Sequence, residues 1–325
     1  MAILTLDAPS LQERSTSLKR FIVKDALFRN LTFAAALLVL SILFGVFVSL
    51  MIGAAPAFST FGLDFLTTQS WNPVTEKFGA LAPVYGTIIT SLIAMGIAVP
   101  VGIGIAIFTT ELCPVLLRKP IAIAIELLAG IPSIIYGIWG LFVFAPFLQQ
   151  HIQPAIIATF SGVPILKDIF AGPPYGIGVF TAGLILAIMV IPFISSISRD
   201  VFETTPSVLK ESAYALGATT WEVIWNVVLP YSRAGVLGGV MLGLGRALGE
   251  TMAVTFVIGN AHKIAASVLA PGTTISATIA NEFTEAVGDI YTSSLIALGL
   301  ILFVITFIVL AAARYMLARM EVKTR

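Results

Sequence analysis

Residues 84–112 read VYGTIITSLIAMGIAVPVGIGIAIFTTEL, and this stretch decides the fold. A hydrocarbon core of about 30 Å takes about 20 helical residues to cross, and the run exceeds that with no charge before Glu111. It is long enough to span a bilayer. In lipid every backbone N–H and C=O must be satisfied internally, so the run is a helix despite its many β-branched residues. Runs of the same character lie at 31–54, 121–148, 176–198, 234–258 and 291–313. The expectation is an all-α polytopic membrane protein with six transmembrane helices.

Composition agrees. Of 325 residues 58% are hydrophobic and 11% charged, with a mean hydropathy of +1.01, which no ordinary soluble domain of this length shows. A net charge of +1 supplies no field for nucleic acid. The single cysteine, Cys113, excludes an intrachain disulfide and reads as a free, partly buried thiol. No GxxxxGK[ST] phosphate loop occurs, so ATP would be hydrolysed by another chain.

Lysine and arginine placement orients the bundle. The tail before the first run holds Arg14, Lys19, Arg20, Lys24 and Arg29, the second connection Arg118 and Lys119, the fourth Arg199, Lys210 and Arg233, and the C-terminal tail Arg314, Arg319, Lys323 and Arg325. Lys77, Lys167 and Lys263 stand alone in the other three connections. Fourteen against three, with Arg246 left inside a span, predicts both termini in the cytoplasm. The expected organisation is a cytoplasmic tail over 1–30, a first transmembrane helix and periplasmic loop over 31–83, a core of five helices over 84–313 with a coupling loop at 199–233, and a cytoplasmic tail over 314–325. Pro100, Gly130-Ile131-Pro132 and Pro192 fall inside spans, where each break must be re-satisfied by neighbours or a wet cavity.

The segment 199–233 is structured. Thr205-Pro206 starts a helix and Gly217 ends it, while Thr219-Thr220-Trp221-Glu222 forms a capping box for a second helix that Pro230 closes. Leu209, Ser212, Ala213 and Leu216 share one face, a shallow surface suited to a groove on a partner or to lipid headgroups. In the fifth span Arg246 and Glu250 lie four residues apart, on one helical face. A charge there is costly and faces the bundle interior or water. The pair is either a structural ion pair or an arginine fork for a tetrahedral oxyanion, oriented and weakened by Glu250. Gly239, Gly243 and Gly249 near that face suit close helix approach, and the face bearing the charges is expected to meet a partner subunit or line a pathway.

Two motifs carry a resemblance. Glu211-Ser212-Ala213, three residues, Gly217, nine residues, then Val227-x-Leu229-Pro230 resembles the EAA loop of bacterial ABC importer permeases, with Ser212 and Val227 as the departures. Gly245-Arg246-Ala247-Leu248-Gly249-Glu250-Thr251, the Trp71-Asn72-Pro73 loop and the 81–92 stretch resemble the PstC family of phosphate importer permeases over nearly the whole chain. The resemblance implies a type I ABC importer permease fold in the bacterial inner membrane. It also implies a coupling helix seated in a cytoplasmic ATPase, and Arg246 and Glu250 on the phosphate pathway. The partners implied are a PstA-like permease, two PstB-like ATPase subunits and a periplasmic PstS-like phosphate-binding protein, with no cofactor and no metal.

Other classes fit less well. A permease for molybdate or sulfate would share the coupling loop, and an arginine alone does not name its anion. A secondary transporter should carry ionisable residues in both halves of an inverted repeat, whereas Arg246 and Glu250 stand alone. An intramembrane enzyme would need partners for Glu126, the other acid read as lying in a span, and none accompanies it. His151 and His262 read as separate, solvated loop residues.

Overall fold

The computed structural model describes residues 11–322, with side chains described over 24–319. Six helices long and apolar enough to cross a membrane occur among the described residues: Lys24–Phe61, Leu81–Leu112, Ser133–Phe160, Val179–Glu203, Thr220–Gly249 and Asp289–Arg319. They are called the first to sixth spans. The chain divides into two compact units at Ile52 and Gly53. In the first unit one helix, which begins at Leu11 and continues to Phe61, presents Leu27, Phe33, Leu40 and Phe44 as an exposed apolar surface fit for lipid.

The second unit is built around the fourth span. Ile185, Leu186, Val190 and Ile194 are fully buried and meet Ala94 and Ala98 of the second span on one side and Val254 and Val257 on another. Small residues let the second span come close. A second core joins Ala54, Ala57, Phe65 and Phe78 to Leu295 and Leu298 of the sixth span. A third, of Ala106, Phe202, Val223 and Val228, binds the ends of the second and fourth spans to the segment that follows.

The third span begins twelve residues later than the apolar run suggests. Residues 115–129 form their own helix, Val115–Ala129, and the spanning helix starts at Ser133. Gly130-Ile131-Pro132 separates them because Pro132 has no N–H to give and biases Ile131 away from helix. The Leu128 carbonyl, which Pro132 cannot reach, accepts from the Ile131 amide at 3.3 Å and from the Tyr136 hydroxyl at 2.9 Å. Glu126 is therefore outside the spans, half exposed, and paired with Arg199 at 2.8 Å.

Proline in the first span is handled similarly. Pro56 lies inside the helix, and beside it the Ser293 hydroxyl donates to the Gly53 carbonyl at 2.8 Å and accepts from the Ala57 amide at 2.9 Å. One side chain of the sixth span fills the interrupted turn. Pro230 does not close a helix as expected. A π-turn, Ile224–Val228, precedes it, and the helix runs on through Pro230 to Gly249. Widening the turn relieves the clash of the proline ring with the preceding carbonyl.

Opposite the end that bears Arg118, Arg199 and Lys210, three segments converge on Glu282. Its carboxylate accepts from the Trp71 indole, from the Tyr291 hydroxyl at 2.8 Å and from His262 Nε2 at 2.7 Å. Trp71 stacks on His262 at 5.4 Å, so this histidine is a packed member of a cluster and no free loop residue. His151, the other, falls inside the third span and stacks on Phe147.

Burial alone would raise the Glu282 carboxyl, but the hydrogen bonds from His262, Tyr291 and Trp71 more than offset it and hold the group below the usual carboxylate range. A depressed folded-state value means that the clamp is at full strength above about pH 4.3 and is lost as pH falls through the lowered value. Acidification from neutral to about pH 3 is expected to sensitise the 258–274 loop to protease. In Glu282→Gln the loop should be cut at every pH and the acid step should vanish; an unchanged step places the acid-sensitive group elsewhere.

Candidate functional site

The fifth span ends in a break. Its helix stops at Gly249, after which Glu250 is extended (φ −68, ψ 128) and a short helix, Met252–Val257, continues. Glycine followed by two polar residues is a stop signal and a new cap signal in succession. Glu250 serves as that cap, its Oε1 accepting from the Ala253 amide at 3.3 Å. The Thr251 carbonyl accepts from both the Thr255 amide and the Thr255 hydroxyl.

The expected charge pair is consequently absent. Arg246 lies in the last turn before the break, Glu250 after it, and no ion pair joins them among the described residues. Four-residue spacing places two side chains together only while the helix is continuous. Arg246 is exposed although it sits in a span, and the group within electrostatic reach is the Tyr136 phenol. Its donors remain available to an anion. Gly239 and Gly243 allow the close helix approach expected of them: they press against Ile197 and Ile194 of the fourth span.

Tyr136 arrives from the other broken helix. Gly137, one residue on, has no room for a side chain, since a Cβ there would stand 2.8 Å from the Phe256 ring and 3.1 Å from the Met252 carbonyl. The start of the third span and the short helix after the fifth therefore lie in direct contact. Two helix interruptions meet beside one exposed arginine. Irregular backbone at membrane depth is tolerated where it is buried in protein or lines a water-filled path.

The second element is the helix Ser207–Ala215 with its flanks. Pro206 is its cap residue, not its first helical residue, and the Thr205 hydroxyl instead meets Ser232 at 3.3 Å. Gly217 adopts φ +89 and ends the helix in the left-handed conformation that favours glycine. The capping box forms as expected: Glu222 N donates to Thr219 Oγ1 at 3.4 Å and Thr219 N to Glu222 Oε2 at 2.8 Å. Val227, Leu229 and Pro230 belong to the start of the fifth span. No residue of the short helix is buried; Glu211 and Ser212 are exposed, Val208 is 68% exposed, and Leu216 just beyond is 90% exposed. Such a helix offers itself to another surface.

Six candidate spans, among them helices interrupted beside an exposed arginine, define a polytopic membrane protein. Residues 98–322 match the family described as binding-protein-dependent transport system inner membrane component, and the chain belongs to that family. Its relatives include the phosphate transport system permease protein PstC of Mesorhizobium japonicum, 70% identical over 311 residues that cover 96% of this chain and 95% of the relative. The protein of the same name from Pasteurella multocida is 57% identical over 92% of this chain and 93% of its own length. A probable PstC of Methanocaldococcus jannaschii is 38% identical over 94% and 98%. Among solved structures, a chain of a bacterial ABC transporter involved in the import of alginate superposes with a TM-score of 0.60 at 18% identity, covering 93% of this chain and 99% of that one. That likeness shows the fold.

Gly137→Val is expected to force the two interrupted helices apart, at a cost of about 1–3 kcal/mol for overpacking. The thermal midpoint of the purified chain should fall; an unchanged midpoint would show that the contact is not held in the folded protein.

Proposed function

We propose that this chain is a permease subunit of an ATP-driven importer and forms half of the transmembrane pathway for inorganic phosphate. The observation that carries the reading is 70% identity to a PstC protein along 96% of the chain. Phosphate is a tetrahedral oxyanion, and a guanidinium offers it a planar fork of charge-assisted donors. Arg246 is that group here. With Glu250 engaged at the next helix cap, the arginine meets the anion without a competing carboxylate.

The remaining parts belong to other chains. A PstA-like permease would supply the facing half of the path, two PstB-like ATPases the energy, and a periplasmic PstS-like protein the captured anion. The distribution of the fourteen basic residues favours the cytoplasm for both termini and for Ser207–Ala215. Closure of the ATPases would move the helix carrying Glu211, Ser212 and Ala213, and the spans would rock to pass the anion by Arg246.

Three measurements test this. In a reconstituted complex Arg246→Gln is expected to abolish phosphate uptake while the subunits still copurify; normal uptake would remove Arg246 from the pathway. Glu211→Arg should uncouple ATP hydrolysis from transport. Competition uptake with sulfate and molybdate distinguishes the anion: only phosphate should displace labelled phosphate, and equal displacement by molybdate would overturn the substrate assignment.

A further inference from the structure

Lys210 and Glu111 stand 99 positions apart in sequence, yet Lys210 Nζ lies 2.6 Å from Glu111 Oε1. The Glu111 side chain is 8% exposed and that of Lys210 20%. The two ends of this pair belong to elements with different tasks. Glu111 sits on a π-turn, Phe108–Leu112, that finishes the second span, and Lys210 sits on the exposed helix Ser207–Ala215. One turn of that helix thus faces two ways: Glu211 outward to solvent, Lys210 and the partly buried Ala213 inward.

We infer that the Lys210–Glu111 ion pair is a strut that transmits displacement of the coupling helix to the second span. This rests on the reading of Ser207–Ala215 as the ATPase-docking helix and names how its movement enters the membrane. The physical case has three parts. The helix buries none of its own residues, and its apolar attachment is the small side chain of Ala213 against the Ala106–Phe202–Val223 cluster, so packing alone grips it weakly. A largely buried ion pair is stiff and directional: separating it exposes a carboxylate in poorly solvated surroundings, a cost that keeps the two ends moving together. The receiving element is suited to displacement, because a π-turn holds one residue more than an α-turn and can shift by a residue without breaking the helix on either side. From there the second span packs along the fourth, the core of the unit, whose Ile194 also touches Gly243 one turn before Arg246. A push at the docking helix reaches the neighbourhood of the anion site through packed side chains.

A purely structural pair would also be buried and short, so the test must read coupling. In proteoliposomes holding the full importer, phosphate moved per ATP hydrolysed is measured for Glu111→Gln, Lys210→Met and the double variant, with ATPase copurification as the measure of assembly. Each single variant is expected to lower the ratio about fivefold or more, the double to be no worse than the worse single, and Lys210→Arg to retain most of the coupling. An unchanged ratio in both singles, losses that multiply in the double, or a ratio that stays normal while only assembled complex is lost would each overturn the strut. Glu211→Arg separates the two levels. If it uncouples while the pair variants do not, the strut alone is wrong; if it too remains fully coupled, the docking assignment falls and the strut with it.

Discussion

A backbone amide or carbonyl inside hydrocarbon has no water to turn to, and each group left unpaired costs several kcal/mol. Much of the detail in this bundle is a reply to that constraint. At Pro56 the hydroxyl of Ser293 bridges the interrupted turn, at Pro132 the Tyr136 hydroxyl takes the Leu128 carbonyl, and before Pro230 the helix widens into a π-turn. Where the fifth span stops, the Glu250 carboxylate takes the Ala253 amide at the start of the next helix. Each repair draws a polar side chain to a defined place, and two of them, Tyr136 and Glu250, belong to the breaks that meet beside the exposed arginine.

The same constraint explains how a costly charge can sit in a span. Arg246 is tolerated because the chain breaks next to it, where irregular backbone suits the proposed anion path, and the break in turn takes Glu250 out of its reach. In that reading anion selectivity and helix interruption are one arrangement. At the opposite end the Glu282 clamp does a different job, gathering Trp71, His262 and Tyr291 from separate segments so that long loops hold a fixed surface. Three donors on a half-buried carboxylate satisfy it more fully than a single pair would.

Particular residues show where reading the chain succeeds. Gly217 and the Thr219–Glu222 box are local devices, set by conformational freedom and by a hydrogen bond three residues long, and both appear where their spacing put them. Glu126 shows the opposite. Apolar continuity placed it in the third span, but Pro132 ends that continuity and Arg199, far along the chain, claims the carboxylate. The Arg246–Glu250 spacing misled for a related reason: Gly249-Glu250-Thr251 carries a stop and a cap signal, and the apolar run on both sides outweighed it.

By itself the sequence determined the six spans, the all-helical class and the two motifs that place the chain in its family, because hydrophobicity summed over about 20 residues is a local quantity that no distant contact can reverse. Only the tertiary structure decided which polar groups meet. Arg246 without Glu250, Lys210 with Glu111, and Glu282 with Trp71, His262 and Tyr291 are outcomes of how helices end and which helices adjoin. Such pairings follow from packing between segments far apart along the chain, and no spacing in the sequence encodes them.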